Sequence, residues 1–229
     1  MIVSYDGFKL KLPDKSDDIL IRLLSSGKYE PSITKFVRSQ LRLGFNFVDV
    51  GASFGYYTIL GAKAGCNVFS FEPNPFVYRY LRENVLLNHC EKLVKTYNFA
   101  LGEKERFGYL KIPKKNVGHA YISVKPTKVK IKIKRLDDII KDRINLLKLD
   151  VEGYELNVLK GSTRLMENGL INVIVFEYRG FLHIKLNEII DLLNQFGFMV
   201  YKLRRGRLTL PADGIGMFVG LKDFSGEKI

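Results

Sequence analysis

A chain of 229 residues is long enough to bury a full hydrophobic core and reads as one domain with small additions. Its 46% hydrophobic and 27% charged content is ordinary for a globular protein; no run reaches the ~18 apolar residues of a spanning helix. The start, Met1 to Asp6, lacks the basic-then-apolar pattern of a secretory leader, so a cytoplasmic protein is expected. Cys66 and Cys90 make neither a metal-ligand spacing nor a disulfide framework, and buried packing is their expected role. The net charge of +13 is the anomaly: it would attract nucleic acid, anionic lipid or an acidic glycan.

Residues 1–43 read as an appended hairpin and helical extension, with the main domain expected over 44–229. Ile2 to Leu12 alternates around Asp6-Gly7 as a hairpin would, and Asp17–Leu24 and Ile33–Leu43 have helical spacing, the second starting at Pro31-Ser32. From Phe45 the rhythm changes to strand, helix, strand, helix. Phe45–Val50 is an apolar strand that runs into Gly51-Ala52-Ser53-Phe54-Gly55 and the helix-forming Tyr56–Ala64. Val68–Phe71 is a second strand closed by Glu72, Pro73 opens a helix that runs to Leu87, and Leu93–Asn98 is a third strand. Such alternation predicts a mostly parallel sheet with helices on both faces, and ligands at the carboxyl ends of the strands, where Asp49, Glu72 and Asn98 fall.

Residues 103–135 break the rhythm. Phe107–Ile112 and Val129–Ile133 have strand character, and Lys128, Lys130, Lys132 and Lys134 share one face of the second. From Lys111 to Arg135 there are nine basic side chains and no acidic one. An edge strand protected by charge accounts for this, with a positive rim beside the pocket as the sharper alternative. Leu136–Ile140 reads as a short helix and Ile144–Leu149 as the fourth strand, ending in Asp150-Val151-Glu152-Gly153. Ile171–Phe176, closed by Glu177, the helix Leu186–Phe196, and strands Phe198–Leu203 and Gly216–Leu221 complete seven strands. Arg204-Arg205-Gly206-Arg207 fits a hairpin, an anion contact or an interface.

The chemistry is set by Asp49, two residues before the first glycine. A carboxylate there would repel the pyrophosphate of a dinucleotide but suits a cationic ligand, and S-adenosyl-L-methionine carries a sulfonium, an ammonium and no phosphate. Glu72, about 20 residues further on, stands where an acid holds ribose hydroxyls.

Val48-Asp49-Val50-Gly51-Ala52 with Gly55, Phe71-Glu72-Pro73, Asn98 to Gly102, Lys134 to Ile140, Leu146 to Leu156 and Val158 to Gly161 together closely resemble the FkbM family of adenosylmethionine-dependent methyltransferases, over about residues 45–180. The resemblance implies a Rossmann-like class I methyltransferase, an α/β fold whose seven-stranded sheet has its last strand antiparallel. It also implies O-methylation of a hydroxyl on a sugar, glycan or small metabolite. Asp49 and Gly51 would face the methionine part of the donor, Glu72 the ribose, and Asn98 to Ala100 the adenine edge, with Ala52 and Gly55 also counted as donor-binding and the methyl group pointing toward Asp150 and Glu152.

A sugar hydroxyl needs a proton acceptor during attack, and Asp150, Glu152 and Glu177 come from adjacent strand ends. Asp150 or Glu152 as general base is one hypothesis; Asp150 and Glu177 as Mg²⁺ ligands is the less favoured one. Glu155 reads as a helix N-terminal acid, His89 as a surface residue, and His119, in a glycine-containing loop, as a residue able to overhang the pocket; His183 carries no assignment. An RNA methyltransferase, suggested by the charge, and a non-catalytic adenosylmethionine-binding protein are the competing functions.

Overall fold

The computed structural model describes residues 1–13, 27, 29–113, 117–180, 185–210 and 212–222. The helix expected at Asp17–Leu24 and His183 lie outside them. The chain opens on the expected hairpin, β1 (Ile2–Tyr5) and β2 (Phe8–Lys11), paired antiparallel and turned by Asp6 and Gly7 at φ 58° and 83°. Two left-handed residues in a two-residue loop give the twist a hairpin needs. Helix α1 (Pro31–Gln40) follows, with Pro31 in its first turn, and ends earlier than the sequence suggests because Leu41 turns extended.

The central sheet is built from β3 (Asn46–Val50), β4 (Asn67–Phe71), β5 (Val94–Tyr97), β10 (Ile144–Leu149), β11 (Ile171–Tyr178), β12 (Phe198–Arg204), β13 (Arg207–Thr209) and β14 (Gly216–Lys222). Their order is β13-β12-β14-β11-β10-β3-β4-β5. β3 lies between β10 and β4, parallel to both, while β14 is antiparallel to β11 and β12. The seven expected strands are present, and an eighth is added at the edge. Arg205 and Gly206 take φ 49° and 76°, so the Arg204–Arg207 segment is a tight hairpin that folds β13 back onto β12. Glu177, expected just beyond β11, is paired within it opposite Met217.

Alternation along the parallel strands sends side chains into two cores. Phe47, Leu146 and Val175 face one, which is closed by α2 (Tyr56–Lys63), α3 (Pro75–Leu87), α1 and the amino-terminal hairpin. Val48, Leu147 and Ile174 face the other, closed by α5 (Glu155–Lys160), α6 (Thr163–Glu167) and α7 (Leu186–Gln195). Helix α3 starts two residues after Pro73, with the Asn74 side chain accepting from Phe76 N at 3.1 Å as its cap.

The residues that break the rhythm form a second sheet, β6 (Ala100–Leu101), β9 (Val129–Lys134), β7 (Arg106–Lys111) and β8 (Tyr121–Ser123), in that order. Its inner face, Leu110, Ile122, Ile131 and Ile133, joins the core that holds Val48 and Leu147. The amino-terminal hairpin is fastened by two asparagines one turn apart on α3. Asn84 accepts from Lys11 N at 2.6 Å and donates to Lys11 O at 3.0 Å; Asn88 does the same for Lys9 at 2.9 and 2.7 Å. Two side-chain amides thereby satisfy the outer edge of β2 as a neighbouring strand would.

The short helix α4 (Leu136–Ile139) carries Asp137, 1% exposed, whose two oxygens accept from Arg164 N and Leu165 N at 3.0 Å each and from Arg135 at 2.8 Å. This carboxylate satisfies the first amides of α6 across a loop of the sheet. Asp137→Ala leaves both amides buried without acceptors and is expected to lower unfolding stability by about 2–4 kcal/mol in urea titration, with Asp137→Asn losing clearly less.

Candidate active site

Where β3 ends, the backbone turns through Gly51, Ser53 and Gly55 at φ 76°, 51° and 93° before α2 begins. Gly51 and Ala52 donate to Phe71 O at 2.9 and 3.0 Å, and Asp150 N donates to Val50 O at 3.0 Å, so the ends of β4 and β10 are laced to this turn. A Cβ on Gly51 would lie 1.8 Å from the Asp150 carbonyl oxygen. The glycine is therefore required by the neighbouring loop as well as by its own φ. Gly55 is required by its own φ of 93°; an added Cβ there would meet only the tip of the Leu81 side chain, at 2.7 Å.

Beneath the turn lies a buried ion cluster. Asp49 is 0% exposed and Lys148, its register partner on β10, is 2% exposed. The ammonium of Lys148 stands 3.7 Å from Asp49 Oδ1 and 3.4 Å from Asp150 Oδ2, and 4.8 Å from the centre of the Tyr57 ring. Thr58 donates to Asp49 Oδ2 at 2.8 Å, leaving Oδ1 without a hydrogen bond. Burial pushes the Asp49 carboxyl up despite Lys148, whereas the carboxylates of Asp150 and Asp49 outweigh burial at Lys148 and hold its ammonium protonated, above the ordinary lysine value. Burial would raise Asp150 too, but Lys148 and Arg179 outweigh it and keep that carboxyl below its usual range.

The cluster continues across the strand ends. Arg179 Nε meets Glu177 at 2.7 Å and its NH1 meets Glu152 at 3.3 Å, while His119 Nδ1 stands 2.8 Å from Glu152 and 3.3 Å from Arg179. Glu152 reaches this position from a left-handed backbone, φ 55°, followed by Gly153 at 92°. Burial, and then the charge of Asp150, raise Glu177 to about 7. A carboxyl of that affinity beside one held ionised is the pairing expected of an acid–base site.

Two clefts meet at Gly51 and Asp150. The first, about 510 Å³ of empty space counted to its rim, runs from Phe71, Glu72 and Phe99 past Leu101 and Ile122 to Asp150 and Glu152. The second, about 340 Å³, is lined by Ala52, Ser53, Phe54, Tyr29, Tyr57 and Lys148. Glu72 lies at the edge of the first with both oxygens engaged, accepting from Ser53 N at 2.9 Å and Asn74 N at 2.8 Å, and burial raises it to about 7.

Of the residues singled out in the sequence, Gly51, Glu72, Ala100, Asp150 and Glu152 line the first cleft, and Gly51, Ala52 and Asp150 the second. Asp49 lies under the floor, Gly55 caps α2 outside both, and Glu177 backs onto Asp150. Asn98 is exposed and turns its amide to the carbonyls of Glu72 and Pro73, at 2.9 and 3.3 Å, so it fixes the turn after β4. The loop carrying His119 does overhang: Gly118 and Ala120 line the first cleft. Glu155 accepts from Val151 N and Gly153 N at 3.1 and 3.3 Å, an acid closing the amino end of its own helix. Among the described residues no three His, Cys, Asp or Glu side chains converge as a metal cage would require. Sequence reading passed over Lys148, Arg179, Tyr57 and Thr58. The signal for Lys148 was available: a cation two residues before Asp150 inside an apolar strand shares its face and must have a buried partner.

The sheet order, the antiparallel β14 and a cleft at the carboxyl ends of β3, β4 and β10 define the class I methyltransferase fold. The profile of the methyltransferase FkbM domain matches residues 49–200, and the chain belongs to that family. It is 29% identical to the hexuronic acid methyltransferase AglP of Haloferax volcanii over 136 residues, 56% of this chain and 54% of that protein. To Methyltransferase 1 of Beauveria bassiana it is 26% identical over 141 residues, covering 50% and 57% of the two chains. The chain thus spans little more than half the length of these relatives. Among solved structures it resembles the FkbM methyltransferase of Methylobacillus flagellatus, with TM-score 0.52 and 20% identity over 77% of this chain and 43% of that one.

Glu72, Glu155 and Glu177 are all raised from 4.5 to about 7. Each holds its proton more tightly folded than unfolded, so its contribution to stability is complete below pH 4.5 and is lost as pH rises through about 7. Denaturation midpoints are therefore expected to fall between pH 5 and 7.5, and to fall less steeply in Glu155→Gln.

Proposed function

We propose that the protein transfers a methyl group from S-adenosyl-L-methionine to a hydroxyl of a sugar, glycan or small metabolite. The observation that carries the reading is the position of Asp150. It stands where both clefts meet, ionised by Lys148 and Arg179, with Glu177 at its back. The donor suits the cavity: the aromatic and aliphatic slot of Phe71, Phe99, Ala100 and Leu101 would take the adenine and Glu72 the ribose hydroxyls. The amino-acid end would lie along Gly51 and Ala52, with the ammonium of Lys148 at hand for its carboxylate and Asp49 acting from below. When bound, the donor supplies an electrophilic methyl group on a cationic sulfur. The chain's part is to align the acceptor oxygen and remove its proton.

We assign the proton to the Asp150–Glu177 pair. Glu177, near 7, has the affinity of a base working at neutral pH, while Asp150 keeps the charge that meets the acceptor hydroxyl. Glu152, held by His119 and Arg179, orients the acceptor. Carboxylates are preferred to Mg²⁺ because Lys148 and Arg179 already stand beside them, and a dication would meet two fixed cations. A sugar as acceptor is supported by the Haloferax volcanii relative, a hexuronic acid methyltransferase. A cytoplasmic setting agrees with two buried free thiols, Cys66 and Cys90.

Turnover over a panel of sugars, uronic acids and small polyols is the test. Activity should persist in chelator without added divalent ion and rise with pH through about 7. Asp150→Asn should lower kcat by about 10²–10⁴ while calorimetric binding of S-adenosylhomocysteine survives, and Glu177→Gln should flatten the pH profile. Product formation at wild-type rates in both variants, or none from any acceptor with the wild type, would overturn the assignment.

A further inference from the structure

We infer that the solvent face of the four-stranded sheet is a binding surface for single-stranded nucleic acid, independent of the methyl-transfer reading. The face is set by register. Phe107 on β7 lies opposite Lys132 on β9, Tyr109 opposite Lys130, and Lys111 opposite Tyr121 on β8, so three rings and three lysines interleave on one side. Gly108, Leu110, Ile131 and Ile133 turn to the core on the other. Phe107 is 59% exposed and Tyr121 37%, and Lys130 places its ammonium 4.4 Å from the centre of the Phe107 ring. Lys128, exposed just before β9, extends the row, and among the described residues none of Lys111, Lys128, Lys130 and Lys132 pairs with a carboxylate. From Lys111 to Arg135 the sequence offers nine basic side chains and no acidic one; Lys134 and Arg135, at its end, meet Glu105 and Asp137 from outside the run.

Protection against edge-to-edge aggregation explains lysines on an open strand but not the rings among them. A face selected only to stay soluble does not present a phenylalanine more than half exposed at its middle. The rings narrow the partner; the one arginine on these strands, Arg106, is engaged with the Tyr154 hydroxyl at 2.9 Å, so the free charge of this face is lysine. Lysines are point charges suited to a diffuse phosphodiester backbone, and exposed rings on a sheet are platforms for unpaired bases. Phe107 and Tyr109 are two residues apart on one strand, about 7 Å, so neighbouring bases could each find a ring.

The test is fluorescence anisotropy of the full chain with a labelled 20-nucleotide oligouridylate, from about 50 to 300 mM salt. Four lysine contacts predict a log–log salt slope of about −3. The double variant Lys130→Glu/Lys132→Glu should weaken binding at least tenfold and flatten the slope. Phe107→Ala and Tyr121→Ala, both at exposed positions that leave the fold intact by circular dichroism, should each weaken it about fivefold or more with the slope unchanged. The inference is overturned by absence of binding at low salt, by variants that bind as the wild type does, or by polygalacturonate or phosphatidylserine vesicles displacing the oligonucleotide as well as unlabelled RNA does.

Discussion

The site depends on one buried ammonium. Lys148 is placed inside a parallel strand, where a lone charge would cost several kcal/mol of lost hydration, and it is tolerated because Asp49 and Asp150 flank it. The arrangement binds the carboxyl ends of β3 and β10 electrostatically as well as by backbone pairing. It also fixes the protonation of its neighbours. Asp150 stays charged in a site whose burial would otherwise neutralise it, and that fixed charge adds to burial in raising Glu177 toward neutrality. Arg179 then carries the alternation of sign outward to Glu152 and His119. A run of opposite charges from the sheet interior to the overhanging loop thus sets both the shape and the acid–base character of the cleft.

Much of the fold was legible because parallel strands buried on both faces leave an unmistakable trace: runs such as Phe47–Val50 and Leu146–Leu149, apolar but for one ion each, stopped by glycine or acid and followed by a helix. The positions of Gly51, Glu72, Asp150 and Glu152 at strand ends followed from the same logic. What escaped was relational. Asp49 points to a cationic ligand when read alone, yet in the fold its first partners are a lysine 99 residues away and a threonine on the next helix. Asn98 stands at its strand end as the sequence suggests, and there its amide nitrogen donates to the carbonyls of the neighbouring turn. Register across non-adjacent segments decides such contacts, and periodicity along one segment does not report it.

The same holds for the lysine strand. Its alternation was plain, but the rings of β7 and β8 that share its face come from separate segments and became visible as neighbours only through the antiparallel pairing. The eighth strand, β13, was hidden in a four-residue turn with three arginines, whose composition says less than the left-handed φ of Arg205 and Gly206.

The approach of Gly51 to the Asp150 carbonyl has a further consequence. Because main chain rests on main chain there, the turns that follow β3 and β10 move as one piece, and neither can be lengthened or reshaped without displacing the other. The overhanging segment around Gly118 and Ala120, held to the cleft by the Val117 carbonyl on Asn74 and by His119 on Glu152, takes no part in that main-chain contact and can be reshaped without displacing the joined turns.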